Sequence, residues 1–143
     1  MTFLKFLAVS LLLSTPALCQ TSLPLKQQGS LYFVQIEIND KMQSLLLDTG
    51  SDISIVDPSV IPNFTHEGLS GAGFGGAISF IGYGSANIKT GKGYKYMQVR
   101  VQDFSKIQKA YGFKFDGVLG LDFISKFSCF SVDFKAKTIS FCE

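Results

Sequence analysis

One stretch of the chain joins an apolar run to a single carboxylate, followed at once by small and hydroxyl-bearing residues. It reads Leu45-Leu46-Leu47-Asp48-Thr49-Gly50-Ser51-Asp52. Such an apolar run predicts a buried strand, and a glycine directly after it indicates a tight turn or a close backbone approach. A carboxylate at this junction must be hydrogen-bonded, paired or protonated, because burying an unpaired charge is costly. The pattern therefore predicts a rigidly held Asp48 suited to acid–base chemistry.

The same residue types are common in ordinary turns, so Asp-Thr-Gly alone is weak as a signal. A second apolar stretch that ends in glycine occurs later, at Asp116-Gly117-Val118-Leu119-Gly120-Leu121-Asp122. A glycine-rich segment, 68–77, lies between the two. The three features, in this order, resemble the retropepsin-like aspartic proteases, particularly the small single-domain kind found in bacteria. The resemblance spans roughly residues 31–141.

The resemblance implies an all-β, single-lobe acid-protease fold: a closed β-barrel with one or two short helices. It implies an endopeptidase in which Asp48 is catalytic and Thr49, Gly50 and Ser51 form the active-site loop. In such a site Thr49 locks two loops together, and the hydroxyl of Ser51 donates to the outer oxygen of Asp48. No cofactor and no metal are implied.

Two further groups of residues take their expected roles from the same resemblance. A support loop packs beneath the Asp48 loop; its residues are Val118, Leu119 and Gly120. A glycine-rich flap closes over an extended substrate. The residues expected at the flap and substrate are Gly71, Ala72, Gly73, Phe74, Gly75, Gly76 and Asp52. High glycine content gives the flexible backbone that such a hairpin needs.

Asp-Thr-Gly occurs once in the chain, whereas aspartic proteases use two carboxylates that share one proton. The resemblance therefore implies a homodimer with Asp48 from each subunit, acting on a protein or peptide. Leu121 stands where many viral members have an arginine that pairs with the aspartate at the Asp52 position, so that ion pair is absent here. The alternatives are a catalytically silent binding or scaffold protein with the same fold, or a protease dedicated to one partner.

The N-terminal residues have the layout of a secretory signal peptide. Lys5 precedes the apolar core 6–13, and Pro16 and small residues follow. Residues 1–19 are thus predicted to be a signal peptide, which implies export to the periplasm or the extracellular space. Cleavage after Ala17 or after Cys19 both fit, and lipid attachment at Cys19 is a further option. The polar segment 20–30 is predicted to be a flexible arm, and 31–143 the protease domain.

The composition of the chain indicates which classes of binding partner to expect. The formal net charge is +2 and 17% of the 143 residues are charged, which does not indicate a nucleic-acid partner. The predicted core of the signal peptide is too short for a membrane span, so no stable span is expected after cleavage. The single histidine, His66, has no second ligand at a metal-binding spacing and is predicted to lie on the surface.

Two cysteines lie outside the predicted signal peptide, Cys129 and Cys142. The segments 129–132 and 139–142 read as two strands around a turn. If Val132 faces Ile139, Cys129 faces Cys142, and an exported context then favours a disulfide. Two free thiols are the alternative.

Apolar alternation predicts the remaining elements. A hairpin is expected from strands at 31–38 and 41–47 around Asn39-Asp40, and another strand at 94–101. The segment 82–93 is predicted to be rich in turns, and short helices are expected around 105–111 and 122–127. The C-terminal half is rich in phenylalanines that are predicted to form core. They are Phe113, Phe115, Phe123, Phe127, Phe130 and Phe134.

Overall fold

The computed structural model describes residues 21–73, 76–91 and 93–142, which form a mostly β structure with two short helices. The strands are β1 (Thr21–Gln28), β2 (Leu31–Ile38), β3 (Lys41–Leu47), β4 (Ile55–Val56), β5 (Thr65–Gly73), β6 (Gly76–Thr90), β7 (Gly93–Val101), β8 (Gly117–Leu119), β9 (Cys129–Asp133) and β10 (Thr138–Cys142). The helices are α1 (Ser105–Tyr111) and α2 (Leu121–Ile124). None of the helices in this part of the chain is long and apolar enough to cross a bilayer.

The predicted hairpin that leads to Asp48 is confirmed. β2 and β3 pair antiparallel, from Phe33 opposite Leu46 to Ile38 opposite Lys41. Asn39 and Asp40 connect the strands with φ of 49° and 62°. A two-residue turn with both residues in the left-handed region matches the twist of the flanking strands, and Asn and Asp tolerate that region well. β3 then ends at Leu47, directly before Asp48.

The sheet brings the two glycine-terminated stretches together. Its strand order is β5-β6-β7-β4-β8-β3-β2-β1-β10-β9, and β6 also pairs with β2 through Ile88 and Ile38, which joins part of this order into a ring. β8 runs parallel to β3, with Leu119 opposite Leu47, and antiparallel to β4. The ends of β3 and β8 therefore lie side by side, so Asp48 and Gly120 follow neighbouring positions.

Apolar side chains fill the interior in two clusters. The larger one extends from the ring of strands to α2 and β10, where the rings of Phe123, Phe127 and Phe141 contact one another. The smaller one is built on Phe33, Phe80, Phe104 and Phe115, with Ile55. The predicted phenylalanine core is confirmed for Phe115, Phe123 and Phe127 but is wrong for two residues: Phe130 and Phe134 are 40% and 58% exposed.

The prediction of a flexible arm at 20–30 is wrong for residues 21–28. They form β1, which pairs with β10 over Thr21–Pro24 and with β2 over Leu25–Gln28. Thr21 and Leu25 are buried, and Leu25 belongs to the large core cluster. Thr21 and Leu25 are surrounded in the sequence by polar residues and Pro24, so the alternation that marks a strand is not evident there. The predicted signal peptide, 1–19, lies outside the described residues.

The prediction of turns throughout 82–93 is also wrong, because β6 continues to Thr90. Gly82 and Gly84 are sites of close approach within the strand rather than turns. A Cβ on Gly82 would lie 2.1 Å from the carbonyl oxygen of Thr65, and one on Gly84 would lie 2.6 Å from the side chain of Ile61. Glycine inside a strand often marks a site where another segment of backbone approaches closely.

Local patterns predicted the C-terminal elements well. α1 occupies the predicted segment, whereas α2 spans four residues, Leu121–Ile124, and is shorter than expected. β9 and β10 pair with Val132 opposite Ile139 and Cys129 opposite Cys142. Cys129 and Cys142 are joined by a disulfide, with 5.1 Å between their Cα atoms. The disulfide prediction is therefore confirmed.

Candidate active site

Backbone groups hold Asp48 at the end of β3. Its own N–H donates to the carbonyl of Leu119 (3.2 Å), and the N–H of Gly50 donates to Asp48 Oδ1 (2.9 Å). The N–H of Ser51 donates to the carbonyl of Asp48 (3.2 Å), which closes a tight turn. Asp48 is half-buried, while Thr49 and Gly50 are exposed. The carboxylate is thus fixed from within the chain, and the tip of its loop faces solvent.

The segment from Gly120 to Asp122 lies against the Asp48 loop. The N–H of Leu121 donates to the carbonyl of Ser51 (2.8 Å), and the N–H of Asp122 donates to the carbonyl of Asp52 (3.2 Å). Gly120 makes this approach possible, since a Cβ there would lie 2.5 Å from the carbonyl oxygen of Ile53 and 2.9 Å from that of Ser51. The two loops are therefore held together by backbone contacts that require glycine at position 120.

A buried serine that the sequence analysis did not single out joins the two loops. The hydroxyl of Ser54 accepts a hydrogen bond from the N–H of Gly120 (3.0 Å) and donates one to Asp122 Oδ1 (2.6 Å). Ser54 is 1% exposed. The available signal was a lone hydroxyl within the apolar run Ile53-Ser54-Ile55, but its partners lie more than 60 residues away and cannot be read from spacing.

The expected role of Ser51 is not observed. Its hydroxyl donates to the carbonyl of Ile53 (2.7 Å) rather than to a carboxylate oxygen of Asp48. A hydroxyl has one proton to donate, and the carbonyl two residues ahead lies within reach. Ser51 therefore stabilises the shape of the loop, and Gly50 supplies the bond to Asp48 Oδ1. Asp52 is exposed next to this turn.

The segment predicted to form a flap is an antiparallel hairpin of β5 and β6. Gly71 lies opposite Ile78, Ala72 opposite Ala77, and Gly73 opposite Gly76. Gly71 lies on the ring of Phe80, where a Cβ would be 3.0 Å from Cε2. The expected tip residues Phe74 and Gly75 lie outside the described residues. That the hairpin covers a substrate stays a prediction.

Other polar features lie away from Asp48. A cavity of about 300 Å³ is bordered by residues that include Asn39, Phe64, Tyr83 and Gln98, and none of its residues belongs to the Asp48 loop. His66 is exposed and lies on the ring of Phe64, with centroids 4.3 Å apart. Within the described ranges, no three His, Cys, Asp or Glu side chains cluster to hold a metal ion.

Comparisons with known proteins identify the architecture. The chain matches no protein-family model and no curated protein. Among solved structures it is similar to a retropepsin-like aspartic protease from Rickettsia conorii, with a TM-score of 0.50 and 11% sequence identity over 84% of this chain and 86% of that one. It is also similar to EIAV protease in complex with the inhibitor HBY-793, with a TM-score of 0.49 and 20% identity over 71% of this chain and 91% of that one. The match to the Rickettsia conorii structure shows that the chain has the fold of the retropepsin-like aspartic proteases.

Proposed function

We propose that the chain is an aspartic endopeptidase whose site is formed by Asp48 from each of two identical subunits. One observation carries the proposal. Asp48 lies where β3 and β8 end side by side, and its carboxylate accepts a bond from the N–H of Gly50 while Thr49 and Gly50 stay exposed. This arrangement supports a carboxylate that is fixed by its own chain and presented towards a second one.

The chemistry follows from two carboxylates that share one proton. Like charges about 3 Å apart cannot both ionise readily, so one Asp48 is charged and the other is protonated. The charged carboxylate takes a proton from a water molecule, whose oxygen attacks the peptide carbonyl carbon. The protonated carboxyl donates to the carbonyl oxygen as negative charge develops there. Proton transfer to the amide nitrogen then lets the C–N bond break, which gives a carboxylic acid and an amine.

A second copy is the natural source of the second carboxylate. Other aspartates near the support loop are engaged in structural bonds: Asp116 Oδ2 accepts from the N–H of Ser44 (2.7 Å), and Asp122 Oδ1 accepts from Ser54. A symmetric dimer brings two identical Asp48 loops to one axis, with no new residue required. We therefore infer that the active form is a homodimer.

The proposed reaction has an extended substrate and takes place outside the cytoplasm. The substrate is an extended protein or peptide segment, because the β5–β6 hairpin offers a glycine-rich cover of the kind that closes over a chain and excludes water. Residues 1–19 act as a signal peptide, so the enzyme works outside the cytoplasm, in the periplasm or beyond. The Cys129–Cys142 disulfide supports an oxidising compartment.

The test is cleavage of an unstructured protein by the purified chain, from about pH 3 to about pH 7, next to Asp48→Asn. We expect activity on the acidic side of this range that Asp48→Asn abolishes, because an amide cannot serve as the base or share the proton. Asp40→Asn, in the exposed turn at the other end of β3 from Asp48, is the matched control and should keep activity. Equal cleavage by the wild type and Asp48→Asn would refute the mechanism. Absence of cleavage at all protein concentrations would favour a catalytically silent binding protein.

A further inference from the structure

β6 changes neighbours partway along its length, and this leaves a gap on one edge of the strand. Among the described strands, its pairing with β5 ends at Tyr83, and its pairing with β2 is at Ile88. Beyond the gap, the N–H of Asn87 donates to Asn39 Oδ1, and the N–H of Asn39 donates to the carbonyl of Asn87, both at 3.0 Å. No described strand therefore covers the edge of β6 between Tyr83 and Asn87.

Ser85 lies in the middle of this gap and directs its backbone groups into it. Asn87 turns its N–H and carbonyl away from β7, and residues two apart on a strand turn these groups to the same side. The register of β7 agrees. The N–H of Arg100 donates to the carbonyl of Ser54 (3.1 Å), on the side away from β6. Gln98, two residues earlier and opposite Ser85, turns its backbone away from β6 as well. Ser85 thus offers one donor and one acceptor to a ligand in the gap.

The gap opens into the cavity of about 300 Å³ that Phe64 borders. Its polar lining consists of hydroxyl and amide side chains, and none of the described residues that line it is charged. These polar residues are Asn39, Asn63, Thr65, Tyr83, Ser85 and Gln98. Hydroxyl and amide groups both donate and accept hydrogen bonds. Pockets for small molecules begin at about this volume, so the cavity fits one compact, uncharged, polar ligand.

An aromatic surface continues from the cavity along β7. The hydroxyl of Tyr96 donates to Ser85 Oγ (2.6 Å), which places the Tyr96 ring beside the cavity. The Tyr96 side chain is 71% exposed, and Tyr94, two residues earlier on the same face, is 50% exposed. Tyrosine offers a large and rigid contact area, so exposed rings next to a polar cavity indicate a binding surface.

Charged side chains on this face of β6 and β7 have other contacts. The Arg100 guanidinium lies 6.0 Å from the centre of the Tyr83 ring, and Lys89 forms an ion pair with Glu37 (3.0 Å). An anionic ligand in the cavity would meet no positive side chain among the described lining residues. An extended peptide would need several consecutive open positions on β6, but Tyr83 and Asn87 at the two ends of the gap are already paired.

We propose that the cavity binds one ring of a neutral polysaccharide and that Tyr96 stacks on the next ring. Two adjacent sugar hydroxyls bond to the N–H and the carbonyl of Ser85, because each hydroxyl both donates and accepts. The apolar C–H face of the following ring lies on the exposed aromatic surface.

This site lies away from the Asp48 loop. Asn39 is two residues before β3 and Asp48 directly follows that strand, so its seven residues, roughly 20 Å, separate the two. A polysaccharide held at Ser85 therefore leaves Asp48 open. The site anchors the chain to a glycan surface, and it does not depend on the proposed proteolysis.

Nuclear magnetic resonance of the ¹⁵N-labelled chain tests the site and locates it. The probes are four soluble, neutral tetrasaccharides: cellotetraose, laminaritetraose, isomaltotetraose and chitotetraose. We expect at least one of them to shift the amide signals of Ser85 and Gln98 in a saturable way, which gives a dissociation constant. Raising the salt concentration from about 50 to about 500 mM should leave this constant unchanged, because the ligand and the cavity lining are uncharged.

Side-chain variants separate stacking from other effects. Tyr96→Ala should weaken binding roughly three- to ten-fold, whereas Tyr96→Phe, which keeps the ring, should stay near the wild type. Asn63→Ala removes an exposed amide from the cavity and should also weaken binding. Tyr111→Ala, at a 60% exposed tyrosine on α1, is the matched control and should bind like the wild type. Asp48→Asn should bind equally well, so a failure of the proposed proteolysis leaves this test unaffected.

Several results would overturn the site. One is the absence of shifts at Ser85 with every probe at a sugar concentration of about 10 mM, since even weak sites bind in this range. Equal affinities of Tyr96→Ala and the wild type would exclude stacking on this ring. Shifts caused only by dextran sulfate, and abolished by salt, would indicate attraction of an anion to lysines and arginines. The same shifts with a Gly-Ser peptide of similar length would show that the gap accepts peptides and does not select saccharides.

Discussion

At the scale of single residues, Ser54 is the hydroxyl that fixes the support loop to the Asp48 loop. It is buried and makes one hydrogen bond as acceptor and one as donor. Removing the hydroxyl leaves the N–H of Gly120 and the carboxylate of Asp122 without this partner. Unsatisfied buried polar groups are costly, so we expect Ser54→Ala to lower the free energy of unfolding by about 1–3 kcal/mol.

Urea denaturation of Ser54→Ala, next to the exposed Ser79→Ala, tests this expectation. The control change should stay within about 0.5 kcal/mol, as is usual for exposed positions. The Ser54 variant should also lose proteolytic activity, since the loop beneath Asp48 would shift. If the two variants were equally stable, the hydrogen bonds of Ser54 would not be needed to hold the two loops together.

Gly120 is the second residue on which the site depends. Its backbone has φ of −100°, which any residue can adopt, so the need for glycine is steric. An alanine Cβ would meet the carbonyl oxygens of Ile53 and Ser51 at 2.5 and 2.9 Å.

We expect Gly120→Ala to destabilise the chain by about 1–3 kcal/mol, the range for overpacked sites. Gly93→Ala, where a Cβ meets nothing within 4 Å, should change little when both are compared by thermal unfolding. A stable Gly120→Ala would show that the two loops can separate at low cost.

The role of a residue could be predicted only where its neighbours in the sequence determine that role. Asp48 and Gly120 were identified because each ends an apolar run, and the structure places the two loops in contact. The bond made by Ser51 was predicted wrongly, since its one proton goes to the carbonyl of Ile53, two residues ahead, and the residue types alone do not show this choice. Ser54 was missed because its partners come from the other end of the chain.

At the scale of elements, turn chemistry and alternation located most strands, and tertiary contacts explain the errors. The Asn39-Asp40 hairpin and the β9–β10 pair form from neighbouring residues, so their registers follow from the sequence. β1 depends on pairing with distant β10, which local pattern cannot show. The glycines of β6 were read as turns, but they permit close approach by the segment that contains Phe64 and Thr65. Long-range contacts, more than intrinsic strand propensity, therefore determine where these strands form.

The β9–β10 hairpin is an element whose stability depends on a covalent link. Its disulfide closes a loop with a sequence separation of 13 residues. A loop of this size stabilises the folded state by up to about 3 kcal/mol in the chain-entropy account. We expect the Cys129→Ser, Cys142→Ser double variant to unfold at lower denaturant concentration by a corresponding amount, and wild-type protein treated with a dithiol to behave like it.

Denaturation of the oxidised, reduced and double-variant proteins measures this link. The double variant should be insensitive to the dithiol, which provides the control for unrelated effects of the reductant. Should the three proteins unfold at the same denaturant concentration, the hairpin would be held by its strand pairing and core contacts alone. Loss of stability in the reduced form would support the proposal that the chain works in an oxidising compartment.

At the scale of the whole molecule, the sheet supports the proposal that one chain does not act alone. Its order brings β3 and β8 together once, and so presents one Asp48 loop with an exposed tip. The single Asp-Thr-Gly predicts the need for a second copy, but the order of the strands depends on long-range pairings, such as that of β1 with β10, which local pattern does not show.

A subunit-mixing experiment tests the shared site directly. If each site uses Asp48 from two chains, Asp48→Asn subunits that exchange with the wild type form dimers with one carboxylate, which are inactive. For random pairing at a fixed amount of wild type, activity should fall to about one half with an equal amount of the variant and to about one tenth with a nine-fold excess. The measurement is the initial rate of cleavage after the mixture has equilibrated, with substrate in large excess so that the variant does not deplete it. A rate that does not change on mixing would mean that each chain carries a complete site, and the twofold mechanism would then be wrong.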